Sequence, residues 1–531
     1  MTLDTLHERL LEHPQARLRV VGRDGSTTTR SFAEVHADVA LLRDELRAGG
    51  VGAGDPVGLL GPNSYDWVLA DLALLALGAV PVALPLESGF TPEELAGAVE
   101  RYGLVGALVS RALAPGAPLP AALARLEDRP LALTPIPRPP SGLASEVATV
   151  AFSSGTSGTS KGLPLTHDGI LNTVEVSAAL WRVRTDDDIL VVLPFSNFQQ
   201  RYLVYLAIHA GCSATVVAPE RMFLLMRTLA PTIILGPPSF FEFAVNRLHA
   251  DQERDRRPYR LAAVLFRVAP HGLTRRWRAR LGRRWTAVYG PRVRLMFTGS
   301  APVAPDMVAT FQVLGAPLHE IYGSTESGWI ACNVPGAARV GAAGRPVPGV
   351  EVETGEDGEI LLRVARPQAH GYVFEGVETA DAVFRPDGRL ATGDLGRLDR
   401  DGFLRLTGRK KNVIITRSGV KINPEPLEAA VEADGPVTRA VVMARPGDGR
   451  LVCVVWLDDA AGDTEERAAA VRARVQARNA ERPASHRIAE VLVRPADELS
   501  AASGLLTRNL KVDRAAVGRA VFAPATSGSG A

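Results

Sequence analysis

Two hydrophobic textures alternate along the first three hundred residues. The run DWVLADLALLALGA is followed by VPVALPL, then TPEELAGAVERYG, then LVGALVS. Helix-length apolar segments interleaved with short apolar runs predict an α/β architecture with parallel strand pairing. The same alternation returns at DILVVLP, SATVVAP, PTIILGPP and RVRLMFTGSAP, and several of these strands end in Gly or Pro. Ligand loops gather at such strand ends in α/β sheets. The most apolar stretch, residues 72–86, is shorter than the ~20 residues a bilayer requires and holds Pro81 and Pro85. It reads as a buried helix turning into a buried strand, so no membrane span is expected.

After about Gly341 the pattern shifts to short strands and tight turns, as in GVEVETGEDGEILLRV and RLDRDGFLRLTGRK. A small β-rich subdomain is predicted there. Beyond Lys411 a further α/β unit follows, with helix PEPLEAAVEA, strands RAVVMAR and LVCVVWL, and a long Arg/Ala/Glu helix near 464–480. The final APATSGSGA, residues 523–531, has the composition of a disordered tail.

With 531 residues the chain is too long for one core, and the apolar share of 46% and charged share of 22% are those of a globular protein. A net charge of +2 provides no global field for nucleic acid or membrane, so any basic site must be local. Cys212, Cys332 and Cys453 lie far apart with no CxxC, as expected of reduced, buried thiols in a cytoplasmic chain. The opening MTLDTLHERLLEHPQ has no apolar h-region, so it is not expected to act as a signal peptide.

Charge chemistry narrows the picture. Of 60 Lys and Arg residues only five are lysine, at 161, 410, 411, 421 and 511. Lysine is a compact, flexible point charge where arginine is a bulky planar fork, so a surviving lysine marks places where a single phosphate or carboxylate oxygen must be met. The first follows Ser153-Ser154-Gly155-Thr156-Ser157-Gly158-Thr159-Ser160 directly, after the apolar run VATVAF and before the helix-like DGILNTVEVSAALW. Glycines let the backbone fold around an anion, hydroxyls and amides donate to it, and Lys161 adds charge. This is a phosphate loop but not a Walker A loop, because Lys161 lies between Ser160 and Gly162.

Through Leu165-Thr166-His167 this segment resembles the signature loop of the adenylate-forming superfamily: acyl-CoA synthetases, peptide-synthetase adenylation domains and luciferases. Four more motifs follow in order. Tyr322-Gly323-Ser324-Thr325-Glu326 resembles the nucleotide motif, Thr392-Gly393-Asp394 the ribose motif, Gly408-Arg409-Lys410-Lys411 the hinge, and Leu506-Thr507-Arg508-Asn509-Leu510-Lys511 the C-terminal lysine loop. The resemblance implies an AMP-binding domain over 1–408, a hinge at 409–412 and a mobile C-terminal α+β domain over 413–522 that carries Lys511. It also implies site roles. Glu326 would hold Mg²⁺, a hard cation that prefers carboxylate and phosphate oxygens. Thr325 would meet the α-phosphate, Tyr322 would pack on adenine, and Gly299-Ser300-Ala301 would line the adenine pocket. Asp394 would accept from the ribose hydroxyls with Arg409 beside it.

Lys511 would bridge two anions, the substrate carboxylate and the α-phosphate of ATP, where a cation stabilises the transition state most. Lys411 would be the hinge between adenylating and thioester-forming arrangements, with Gly419 on a loop that reaches the site after rotation. In the acyl segment Pro194-Phe195-Ser196-Asn197-Phe198-Gln199-Gln200-Arg201, Asn197 stands where the family commonly has His, and the Asp of amino-acid-activating members is absent. An aryl or fatty acid is therefore expected over an α-amino acid, with Phe198, Phe240, Phe241 and Trp329 as candidate pocket walls. The Arg-rich stretch 254–294 reads as a solvated face or as a patch for CoA phosphates or an acyl carrier protein; nucleic acid lacks a motif.

The expected reaction is ATP- and Mg²⁺-dependent formation of an acyl-adenylate, then transfer to the thiol of CoA or a carrier-protein phosphopantetheine. Amide formation, nitrite-dependent diazotisation, and nucleotide binding without catalysis remain as alternatives.

Overall fold

Strands buried on both faces are the framework of the molecule. In the computed structural model Asp188–Val191, Ile233–Gly236 and Leu295–Thr298 are buried at every residue, as strands covered on both sides of a parallel sheet must be. The structure describes residues 2–84, 97, 99–113, 123–131, 135, 143–153, 161–242, 288–301, 303, 305–313, 316, 318–373, 380–416, 420–432, 437–457, 464–500, 503–506 and 512–522. The chain divides into two compact units, Met1–Glu351 with Leu362–Leu390, and Val352–Leu361 with Ala391–Ala531.

The first unit holds two sheets. One runs Arg345–Pro346, Gly328–Cys332, Leu318–Ser324, Leu295–Thr298, Ile233–Gly236, Asp188–Val191, Ser213–Val217, Arg17–Val21, Thr27–Ser31 from edge to edge. From Leu318–Ser324 to Arg17–Val21 neighbours are parallel, and the flanking strands are antiparallel. The other runs Leu123–Arg125, Gly106–Val109, Pro56–Leu60, Val80–Ala83, Val147–Ser153, Lys161–Thr166, parallel except for the last pair. The interleaved pattern predicted this parallel pairing. It did not predict the antiparallel partner Lys161–Thr166: the Ser/Gly segment joins two strands, and the helix His167–Trp181 begins only afterwards. Leu163 and Leu165, both buried, alternate along that strand and give it its inner face.

Helix Tyr65–Leu77 is apolar around nearly its whole circumference and buried from Trp67 to Leu75, with Asp71 as the exception in composition but not in burial. Ser64 caps its start by accepting from the Trp67 N–H, and Gly78 ends it at φ 75°. The partner of Asp71 is Arg201 on helix Phe198–Ala210, and both side chains are almost wholly removed from water. The Arg201 Nε donates to Asp71 Oδ2 at 3.0 Å, a second guanidinium nitrogen meets Oδ1, and the Tyr205 hydroxyl donates to Oδ2 at 2.6 Å. The remaining Nη1 donates to Thr149 Oγ1 at 2.8 Å, and Thr149 donates to the Pro81 carbonyl. Arg201 thus ties its helix to two strands of the six-stranded sheet. Burial opposes its charge, but Asp71 and Tyr205 outweigh burial and raise its pKa.

In the second unit a sheet of Val437–Ala444, Leu451–Leu457 and Ile488–Pro495 pairs antiparallel, then parallel. Helices Pro424–Glu432 and Thr464–Ala480 cover one face through Leu427, Val431, Val471 and Val475. Val517 of helix Arg514–Phe522 packs on the other against Val441, Val454 and Trp456. Thr464–Ala480 coincides with the helix expected from composition. All three cysteines are free and buried. Among the described residues no helix is long and apolar enough to cross a membrane.

Breaking one side of a buried ion pair leaves an uncompensated charge, at a cost of about 3–5 kcal/mol. Arg201→Met should destabilise the first unit by that order in urea unfolding followed by tryptophan fluorescence. Arg201→Met with Asp71→Leu should recover most of the loss; no recovery would show that the pair acts through something other than charge compensation.

Candidate active site

The carboxyl ends of the central strands converge on one edge of the nine-stranded sheet. Leu295–Thr298 runs into Gly299-Ser300-Ala301, and its neighbour Leu318–Ser324 carries Tyr322 and Gly323 before turning at Thr325 and Glu326. The close approach of these strands requires glycine twice. A Cβ on Gly299 would stand 2.2 Å from the Ile321 carbonyl oxygen, and one on Gly323 would stand 2.5 Å from that of Gly328. Ser300 adopts φ 65°, an uncommon conformation for a non-glycine residue, and its hydroxyl is 2.6 Å from Gln199 Oε1.

That contact brings in the acyl segment. Asn197 caps helix Phe198–Ala210, its Oδ1 accepting from the Gln199 N–H at 3.1 Å. Phe198 is buried against Tyr205. Phe240 is half-buried beside Phe223, whereas Phe241 lies in the core with Tyr289 and Phe311. Trp329 is buried, donates through its indole N–H to Ser177 Oγ at 3.0 Å, and packs near Trp181 and Tyr202.

Two residues left without a role by sequence reasoning hold this edge in place. Gln200 Oε1 accepts from the Val192 and Leu193 N–H groups while its Nε2 donates to the Leu235 carbonyl, pinning two strand ends. Asn63 exchanges bonds with the backbone of Leu193 and Phe195, both at 2.8 Å. Asn63 lies in the turn-like GPNSYD and Gln200 in the polar SNFQQR, and only the fold shows which strand ends they meet.

The Ser/Gly segment is anchored at its base. Strands Val147–Ser153 and Lys161–Thr166 pair with Ser153 opposite Lys161. Ser154, Gly155, Thr156, Ser157 and Gly158 lie outside the described residues. Residues 367–373 run alongside the second strand, with the Val373 N–H donating to the Gly162 carbonyl and the Thr166 N–H to that of Gln368. The same stretch reaches the nucleotide motif: the Ala369 N–H donates to the Glu326 carbonyl, and the Tyr372 hydroxyl donates to Glu326 Oε1 at 3.0 Å. Glu326 is half-buried. Among the described residues no group of three or more His, Cys, Asp or Glu forms a metal cage. One carboxylate suits Mg²⁺, which keeps waters and binds through one or two carboxylates together with substrate phosphates.

Within the second unit, Asp394 lies opposite Arg409 in a strand pair, their side chains 2.8 Å apart. Lys411 lies exposed on the turn Lys410–Asn412. Lys410 reaches Asp357 at 2.7 Å and the buried Glu359 at 2.9 Å, and these carboxylates raise its pKa. Lys511 and Gly419 lie outside the described residues, as does most of the Arg-rich stretch. The lysine segment is bracketed by an antiparallel bridge between Leu506 and Val512, and Arg514 just beyond donates to Glu428 at 2.6 Å.

A profile of AMP-binding enzymes matches residues 6–372, and one of the AMP-binding enzyme C-terminal domain matches 411–517. The long-chain-fatty-acid–CoA ligase FadD15 of Mycobacterium bovis is 28% identical over 475 residues, covering 81% of this chain and 78% of its own. Among solved structures, ATP-bound MatB from Rhodopseudomonas palustris superposes with a TM-score of 0.73 at 23% identity, covering 98% of this chain and 99% of its own. The amide bond synthetase McbA from Marinactinospora thermotolerans gives 0.68 at 23% identity, covering 93% and 96%. These structures share the fold: a large N-terminal and a smaller C-terminal domain of mixed α/β type.

One residue under this edge reports acidity. Burial lowers the His319 pKa to about 4, and its Nδ1 has no hydrogen-bond partner. The unfolded chain takes up that proton near 6.5, so the stability His319 lends is complete above pH 6.5 and drains away as pH falls towards 4. Between pH 7.5 and 5.0 the loss should be roughly 2 kcal/mol. His319→Phe, beside Phe297, should remove that part of the acid sensitivity in urea titrations at the two pH values; an unchanged pH dependence would refute the assignment.

Proposed function

The chain belongs to the AMP-binding enzyme family, and on that premise we propose that it is an AMP-forming acid–thiol ligase acting on a fatty or aryl carboxylic acid with ATP. The observation that carries this reading is the junction at Glu326. A carboxylate of the nucleotide motif is hydrogen-bonded to the strip that also braces the base of the Ser/Gly hairpin. The carboxylate proposed to hold the cation and the strand pair proposed to carry the phosphate loop are therefore joined within one unit.

A carboxylate oxygen attacks the α-phosphorus, the bond to the bridging oxygen breaks, and pyrophosphate leaves with the electron pair. The acyl carbon, a poor electrophile as a carboxylate, now carries AMP as leaving group. A thiolate of CoA attacks that carbon and AMP departs; a carrier-protein phosphopantetheine would serve by the same chemistry. Glu326 would hold Mg²⁺, which when bound would supply neutralising charge to the phosphates. The Ser153–Lys161 hairpin, with Ser154, Gly155, Thr156, Ser157 and Gly158, cradles the phosphates. Thr325 meets the α-phosphate, Tyr322 and Gly299-Ser300-Ala301 take the adenine, and Asp394 with Arg409 takes the ribose. Lys511 holds the attacking carboxylate against the phosphate. Residues 409–412 are the hinge, with Lys411 as pivot, between an AMP-binding domain over 1–408 and a C-terminal domain over 413–522.

Support for the acid class comes from the FadD15 likeness and from the acyl segment 194–201, which carries no Asp to hold an ammonium group and whose Asn197 caps a helix. Asn197, Phe198, Phe240 and Trp329 would border the acid; of the three aromatic residues Phe240 is half-buried, and Phe198 and Trp329 are buried. Three free, buried thiols accord with a cytoplasmic setting.

Pyrophosphate release should be screened over fatty, aryl and α-amino acids, each with and without CoA. A fatty or aryl acid should release pyrophosphate and, with CoA, yield a thioester; release with amino acids alone would overturn the substrate class. Lys511→Ala should cut pyrophosphate release about 100-fold or more while ATP binding stays within a few-fold. Near-wild-type turnover would remove Lys511 from the mechanism.

A further inference from the structure

We infer that Tyr372 is the positioning residue for the magnesium-binding carboxylate, and that it ties this carboxylate to the strand pair Val147–Ser153 and Lys161–Thr166. This rests on the reading of Glu326 given above.

A phenol hydroxyl facing an ionised carboxylate must be the donor, so the 3.0 Å contact occupies Glu326 Oε1 with a proton and leaves Oε2 to face a cation. Glu326 is otherwise a residue in a turn, between strands Leu318–Ser324 and Gly328–Cys332, and its rotamer would be loosely set. Tyr372 itself is braced. Its ring meets Phe384 edge-on at 5.4 Å between centroids, and its neighbour Val373 pairs with Gly162, the residue after Lys161. Backbone bonds at Ala369 and Gln368 fix the strip at its other end, to the Glu326 carbonyl and the Thr166 N–H. The phenol therefore stands on the same strip as the hairpin base and reports its position to the carboxylate through one hydrogen bond. Partners of this kind orient a metal ligand, and losing one costs about 10–100-fold in metal affinity.

The test is ATP binding by calorimetry at a series of Mg²⁺ concentrations, with an EDTA series as the metal-free reference. In Tyr372→Phe the Mg²⁺ concentration giving half of the metal-dependent gain in ATP affinity should rise about tenfold, while the Kd for ATP in EDTA stays within twofold. Retained EDTA binding shows that the variant is folded. Glu326→Gln should abolish the metal-dependent gain. An unchanged Mg²⁺ dependence in Tyr372→Phe alongside a lost one in Glu326→Gln would overturn the role of Tyr372 alone. An unchanged dependence in Glu326→Gln would overturn both that role and the reading of Glu326 beneath it.

Discussion

An arginine and an aspartate out of reach of water govern the architecture of the first unit. Desolvating both charges is expensive, and the pair persists only because nearly every polar atom finds a partner: two contacts between them, Tyr205 on the carboxylate and Thr149 on the guanidinium. Such a network tolerates one arrangement of its elements. It fixes helix Phe198–Ala210 against helix Tyr65–Leu77 and against strand Val147–Ser153, and Trp67 and Tyr205 lie within 5.3 and 5.8 Å of the guanidinium carbon, in cation–π range. Gln200 precedes Arg201 and Asn197 caps the same helix, so the charge pair also sets where the strand ends and the acyl segment stand.

Regular patterning was legible in the sequence because burial on both faces leaves a continuous apolar run. The strands at 188–191, 213–217, 233–236 and 295–298 follow from it, whereas the helix over 464–480 was legible from its Arg/Ala/Glu composition. The hairpin Arg17–Val21 and Thr27–Ser31 does not: the second strand, TTTRS, is an edge strand with only one partner and no inward apolar face. Lys161–Thr166 is similarly hidden, because Pro164 and two glycine-flanked positions obscure its alternation.

Site residues divide in the same way. Those carried by a local pattern, from the Ser/Gly segment to Tyr322 through Glu326, were visible as motifs. Tyr372 and Asn63 were not, since each acts on a backbone or side chain far away in sequence, 46 residues for Tyr372 and 132 for Asn63 with Phe195; Gln200 joins the nearby Val192 and Leu193 to Leu235, 35 residues on. One-dimensional spacing carries no trace of such a partner. The aromatic residues expected at the acid show the converse, because an apolar residue beside a motif reads equally as pocket or core. Trp329 and Phe198 are buried, and Phe240 is half-buried.

The rarity of lysine has a physical meaning besides the phosphate contacts proposed for Lys161 and Lys511. Lys410 places one ammonium between two carboxylates, at 2.7 and 2.9 Å, and the buried one, Glu359, also accepts from the Gly393 N–H at 3.0 Å. Gly393 sits at φ 70°, in the turn immediately before Asp394. A planar guanidinium would favour a side-by-side pair with one carboxylate, whereas a point charge can stand between two. Lys410 therefore sets Glu359, Glu359 sets the turn, and the turn presents Asp394 to Arg409. Thr392-Gly393-Asp394 is held by a chain of charge that begins one residue past the arginine it pairs with, so the segments 392–394 and 409–412, separated in sequence, form one electrostatic assembly within their unit.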